Sequence, residues 1–181
     1  MQLVKILTAL TIALLTMASC TNDKSLQRYL VDKQEDDRYL KVDLATSLLQ
    51  SDEATFTEEQ QEILNTIKKV NMVAYPLKSG NEAEYNAEKS KVREIIDQEK
   101  YKTLSKMKSK DTHITLKYLG EEDAIDEVIV FASNEEKGFG VFRLLCDDMK
   151  PAQVLQLMNS IDSGDIDVSK LSGFSEVFDA M

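Results

Sequence analysis

Two stretches late in the chain, DEVIVFAS (Asp126 to Ser133) and FGVFRLLC (Phe139 to Cys146), are apolar on both faces, and only NEEKG separates them. A strand of that kind has no side to offer water, so it belongs in the middle of a sheet with cover above and below. The short polar link ending in Gly138 makes the pair a hairpin. THITLKYL (Thr112 to Leu119) alternates instead, with Ile114, Leu116 and Tyr118 on its inner side, as a half-buried strand does. RYLKVDLA (Arg38 to Ala45) repeats that pattern with Leu40, Val42 and Leu44. VNMVAYPL (Val70 to Leu77) is a further strand, whose Pro76 places its end at an edge or exit.

Helical periods fill the intervals. Ser25 is placed to cap a helix that puts Leu26, Tyr29 and Leu30 on one face. Thr57 and Gln60 form a capping-box pair ahead of Ile63, Leu64 and Ile67. A charged helix runs from Glu82 to Gln98 with Tyr85, Val92, Ile95 and Ile96 inward. EKYKTLSKMKSKD is ambiguous: Tyr101, Leu104 and Met107 fit a helical turn, while five lysines keep the segment solvated. Pro151 suits a first helical position, followed by a stripe of Val154, Leu155, Met158 and Ile161. Leu171, Phe174, Val177 and Phe178 fall on one helical face near the end, read as core before a docking helix. The pattern predicts an α+β domain with a single mixed or antiparallel sheet of about five strands and helices packed mainly on one face. Residues 26–181 form that one domain, without internal repeats.

The amino terminus asks for something else. Lys5 precedes a ten-residue apolar run, Ile6 to Leu15, which is half the ~20 residues a membrane span requires. It fits the h-region of a secretory signal. Met17-Ala18-Ser19-Cys20 then resembles the bacterial lipobox, in which cleavage falls between Ser19 and Cys20. The resemblance implies a diacylglycerol on the Cys20 sulfur and an acyl group on its new amine. Two or three chains give a stable anchor, where one holds only marginally. Residues 1–19 are thus the signal peptide and 20–25 the lipidated cysteine with a short tether. Thr21 stands where an aspartate would signal retention in enteric lipoproteins, which favours the outer membrane over the inner.

Charge narrows the partners. The chain carries 22 basic and 32 acidic side chains, net −10, and removing Lys5 with the leader makes it −11. Nucleic acid is recognised by neutralising phosphates with Lys and Arg, so an acidic surface argues against it. Anionic head groups are repelled for the same reason, leaving membrane attachment to the lipid. With Cys20 acylated, Cys146 is the last free thiol, so neither a disulfide nor a cysteine zinc site can form.

The search for chemistry ends without a site. His113, the lone histidine, points away from Ile114, Leu116 and Tyr118 and reads as an exposed strand residue; catalysis would need a placed partner. Cys146 shares the face of Phe142 and Leu144 and reads as a small hydrophobe. Gly138-Phe139-Gly140 lacks the strand-to-helix setting of a phosphate cradle. The acidic runs Glu121 to Glu127 and Asp162 to Asp167 do not match the spacing of a calcium loop. No catalytic, metal or cofactor residue is assigned.

Taken together, the lipobox, the tether, the body from Leu26 to about Ile161 and the run DEVIVFASNEEKGFGVFRLLCDDMKPAQVLQLM resemble a family of uncharacterised Bacteroidota lipoproteins, known only as a domain of unknown function. Members of that family often place a glycine where this chain has Cys146 to Asp148. The resemblance supplies no catalytic residues. The expectation is an envelope lipoprotein, held at the membrane through its lipid, that binds an envelope protein without catalysis. The alternative is a hydrolase or small-ligand domain built from dispersed residues such as Glu121 and Asp126.

Overall fold

The computed structural model describes residues 24–45, 56–109 and 111–162. Helix α1 (Leu26–Asp32) leads to strand β1 (Leu40–Ala45), helix α2 (Glu58–Thr66), strand β2 (Ile67–Pro76) and, after one 3-10 turn, helix α3 (Glu82–Ile96). Strands β3 (Lys102–Ser109), β4 (Thr112–Gly120), β5 (Ile125–Asn134) and β6 (Gly138–Met149) follow, then helix α4 (Pro151–Asp162). The strands make one sheet in the order β1-β2-β6-β5-β4-β3, antiparallel throughout. The fold is α+β, and the strands apolar on both faces sit at its centre.

Each helix starts where its sequence provides a partner for the open amide groups of the first turn. The Ser25 hydroxyl accepts from Arg28 N at 3.1 Å. Thr57 and Gln60 complete their capping box, and a second box joins Asn81 to Glu84. At α4, Pro151 takes the first helical position, where a missing N–H costs nothing.

The helices divide between the two faces of the sheet and do not gather on one. Helices α1 and α3 cover Val73, Tyr75, Ile129, Phe131, Phe139 and Val141. Helices α2 and α4 cover Val70, Met72, Leu116, Val128 and Cys146 on the opposite face. This follows from β5 and β6 themselves, whose two apolar sides both require burial. The sheet also has six strands, one more than expected, because the lysine-rich segment forms β3. Its register shifts between Thr103 and Ser105, and such a bulge breaks the two-residue alternation. Leu104 packs on the α2/α4 core, and Met107, opposite Ile114, points the same way. Two apolar residues three apart thereby share a sheet face, which imitates a helical period. The lysines suit an edge strand, since charge discourages pairing with another chain.

Helix α4 is rotated from the expected stripe: Val154 and Leu157 are buried while Leu155 is 47% exposed. Cys20, the leader, the segment 163–181 with Leu171 to Phe178, and Asp165 and Asp167 of the second acidic run lie outside the described residues.

Two backbone positions depart from the ordinary extended or helical conformation. Gly138 has φ +133°, and a Cβ there would lie 2.1 Å from the Tyr75 carbonyl oxygen. Asp148 is the non-glycine residue with positive φ among the described residues, at +50°. It falls within β6, where the register against β5 shifts between Ile125 and Glu127, so the turn expected at Cys146 to Asp148 is an irregular stretch of strand.

Candidate functional site

Between α1, the loop leading into β1, and α3 lies a concentrated cluster of buried polar groups. Glu88 is on the inner face of α3 and is 6% exposed. Its Oε2 accepts from Tyr39 at 2.7 Å and lies 2.8 Å from the Lys33 ammonium; its Oε1 lies 2.6 Å from Lys91 Nζ. Tyr29 Oη is 2.9 Å from Tyr39 Oη and 3.3 Å from Glu88. Lys33 also faces the rings of Tyr29 and Tyr39, 5.4 and 4.9 Å from their centroids, within cation–π range.

The electrostatics of this cluster oppose reactivity. Burial works against the Glu88 carboxylate, but hydrogen bonds from Lys33, Lys91 and Tyr39 outweigh it and hold the group down at about 2. Burial first, and then the Glu88 carboxylate, push Tyr29 well above the ordinary tyrosine range against the opposing hydrogen bond with Tyr39; burial, the Tyr29 hydroxyl and Glu88 all push Tyr39 the same way. At neutral pH the carboxylate is charged, the phenols are neutral, and Glu88 is hydrogen-bonded on both oxygens. Such an arrangement fixes α1 against α3. It holds no group poised to exchange a proton near pH 7.

A second polar pair is buried on the same sheet face. Arg143 Nη2 meets Glu127 Oε2 at 2.8 Å, with the residues 9% and 6% exposed. Among the described residues, Arg143 Nε and Glu127 Oε1 find no hydrogen-bond partner. Lys117, 5% exposed, donates to the Ile96 carbonyl at 2.6 Å and to Asp97 Oδ1 at 2.8 Å. A cation there answers the negative end of α3.

His113 is exposed on the face opposite Leu116 and Tyr118. It helps line a hollow of about 240 Å³ with Arg93, Asp97, Lys106, Thr115 and Phe131. That is smaller than the ~300–1,000 Å³ of typical ligand pockets, and Asp97 is already engaged by Lys117. Cys146 is 6% exposed, its Sγ 3.7 Å from the Leu144 carbonyl and 3.8 Å from Met149 Sδ. Burial pushes its thiol up to about 12, and the charges of Glu127 and Asp126 act in the same direction. Glu121 and Asp126 flank the β4–β5 turn, both exposed. Among the described residues no group of three or more His, Cys, Asp or Glu could hold a metal ion. No helix of the described residues is long and apolar enough to cross a membrane.

The domain begins almost directly after Cys20. Lys24 Nζ pairs with Glu94 at 2.6 Å, and its carbonyl accepts from Gln98 Nε2 at 2.7 Å. The chain is therefore tied to the carboxyl end of α3 four residues beyond the cysteine. The sequence pattern put Tyr85, Val92, Ile95 and Ile96 on the inner side of α3 but left Glu88 among the helix's charged residues, so the cluster was missed. The signal was present: Tyr85, Glu88, Val92 and Ile95 follow a helical stripe, with one acid inside it.

A family model for a domain of unknown function, DUF4252, matches residues 29–157. No curated protein and no solved structure matches the chain.

Proposed function

We propose, taking as premise that the chain belongs to the DUF4252 family of unknown function, that it is a lipid-anchored protein of the bacterial envelope. In this reading it acts by binding a partner protein close to the membrane, without catalysis of its own. The observation that carries it is the Leu15 to Cys20 stretch, joined by only four residues to the fixed start of the domain at Lys24. Four extended residues span at most about 14 Å, so a lipid on Cys20 would hold the domain against the bilayer. Its partner would then be a membrane protein or another tethered one. The outer membrane is the proposed address, from Thr21.

The absence of catalysis is supported by the state of the candidate groups. Cys146 is shielded and neutral, the Glu88 cluster is internally paired, and His113 stands in a shallow hollow. That hollow, with Arg93, Lys106 and His113 on its wall, is what favours the second reading, a small anionic ligand.

Labelling cells with a palmitate analogue tests the anchor. The wild-type chain should be labelled; Cys20→Ala should lose the label and accumulate as unprocessed precursor. Undiminished labelling of the variant would sink the lipoprotein assignment. Cross-linking in intact cells then tests the partner: one envelope protein should be captured with the anchored chain and lost with Cys20→Ala.

A further inference from the structure

Lys33, Arg38, Lys117 and Arg143 each meet a carboxylate. The hollow beside the carboxyl end of α3 is different. His113 and Thr115 are two apart on β4 and so stand on one face of the sheet, the face that α1 and α3 cover. On the edge strand β3 the register sets Lys106 against Thr115 and Lys108 against His113. Arg93 comes in from α3 with its guanidinium 5.8 Å from the centroid of the Phe131 ring, within cation–π range, and Phe131 is the β5 partner of Thr115. Arg93, Lys106, His113 and Thr115 therefore line one hollow. Among the described residues none of these four side chains has an ion pair or a hydrogen bond. The carboxylate on the same wall, Asp97, lies 2.8 Å from the Lys117 ammonium. The charges of Arg93 and Lys106 thus stand uncompensated in a chain of net −10.

We propose that this hollow binds a small phosphate monoester, with Arg93, Lys106, His113 and Thr115 holding the phosphate. The assignment rests on the second reading given above, a small anionic ligand, and names its chemistry. A guanidinium offers two parallel N–H groups to two oxygens, and an ammonium meets a third as a point charge. The Thr115 hydroxyl and the His113 imidazole add further donors. A carboxylate has only two oxygens and would be satisfied by Arg93 alone, whereas a phosphate uses all four groups. Ile96 and Phe131, each 2% exposed, floor the hollow and suit the carbon atoms of an ester, since ligand sites combine apolar walls with a few placed polar groups. At about 240 Å³ the hollow fits a ligand smaller than those of typical ~300–1,000 Å³ sites. A soluble ester and a lipid head group both present this chemistry. The second belongs in the comparison because Glu94, the neighbour of Arg93, pairs with Lys24, so the hollow and the start of the domain share one end of α3.

The test is an NMR titration of the chain carrying Cys20→Ser at constant ionic strength; this variant has no lipid, so the result does not depend on the anchor. Glycerol phosphate should shift the Lys106, His113 and Thr115 signals saturably. Arg93→Gln and Lys106→Gln, both at exposed positions, should each weaken binding about tenfold, the effect of one hydrogen bond between charged groups. Lys150→Gln removes the same charge at the start of α4 and should leave binding unchanged. Equal weakening by Lys150→Gln would reduce the effect to net charge and overturn the proposal. Succinate bound as tightly as glycerol phosphate would overturn the phosphate assignment and leave the anionic ligand standing. No shift with glycerol phosphate, inorganic phosphate or succinate would overturn both. Vesicles of phosphatidylcholine with phosphatidic acid separate the two sources. Sedimentation of the chain with them, reversed by glycerol phosphate and lost in Arg93→Gln, makes the ligand a lipid head group. Saturable glycerol phosphate binding without sedimentation makes it a soluble ester.

Discussion

Replacing Glu88 by glutamine keeps the shape of the side chain and removes its charge, which isolates what the carboxylate does between α1 and α3. The folded protein holds this group at about 2, against an ordinary 4.5. Each unit corresponds to 1.36 kcal/mol of differential interaction, so the charged form is favoured by roughly 3 kcal/mol over the neutral one. Glu88→Gln should cost about that much at pH 7, because Lys33 keeps its buried position and loses its nearest anion. On a domain of this size, 3 kcal/mol lowers Tm by about 10 °C. The pH dependence carries the sign. The folded value lies below the unfolded one, so the stabilisation is complete above pH 4.5, declines as pH falls toward 2, and is absent below it. Asp36, held at about 2 first by its hydrogen bond to Arg38, titrates in the same window. The difference between wild-type and Glu88→Gln urea curves from pH 7 to pH 2 therefore isolates Glu88. A variant within 0.5 kcal/mol of wild type at pH 7, or two parallel pH profiles, would refute the account of the cluster.

Three other outcomes are expected. Gly138→Ala places a Cβ 2.1 Å from the Tyr75 carbonyl at φ +133°; it should cost upwards of ~2 kcal/mol, since positive φ and a backbone clash coincide, and chemical denaturation should show it. Cys146 should react slowly with a water-soluble thiol reagent in the native chain carrying Cys20→Ser, and at the rate of a free thiol in denaturant; fast native modification would reopen the enzyme reading. The Glu127–Arg143 pair is buried with one polar atom on each side unpartnered, so Glu127→Leu alone should cost ~3 kcal/mol. Glu127→Leu with Arg143→Met should recover most of that loss, because the penalty of a lone buried charge disappears with the second change.

The legible part of this fold was the part governed by local rules. Ser25, Thr57 with Gln60, and Pro151 announced three helix starts, and the doubly apolar β5 and β6 announced the centre of the sheet. What was missed depended on tertiary context. The bulge at Leu104 gave β3 a false helical period. The phase of α4 was set by how Val154 and Leu157 meet the sheet, which left Leu155 outside. Cover on both faces was implicit in β5 and β6, but the short helices gave no sign of how they would be shared. For the candidate sites, the burial of Cys146 and the exposure of His113 could be read from strand alternation alone. The Glu88 cluster could not, because its members come from α1, the loop that leads from it into β1, and α3. Which lysine would reach a buried glutamate is decided only when those elements pack.

The strand order has a kinetic consequence. Strands β3 to β6 are joined in sequence and can zip up as a meander by local turns alone. Strand β2 must instead wait for β6, and the Pro76–Gly138 contact closes a loop of about 60 residues, an entropic cost near 3.6 kcal/mol before any ladder forms. A chain made from its amino terminus thus displays β2, with Val70, Met72, Val73 and Tyr75, long before its central partner exists. During that interval only β1 can shield it, on one edge. Folding should be limited by this late closure, and the amino-terminal half is where a holding chaperone would be expected to bind.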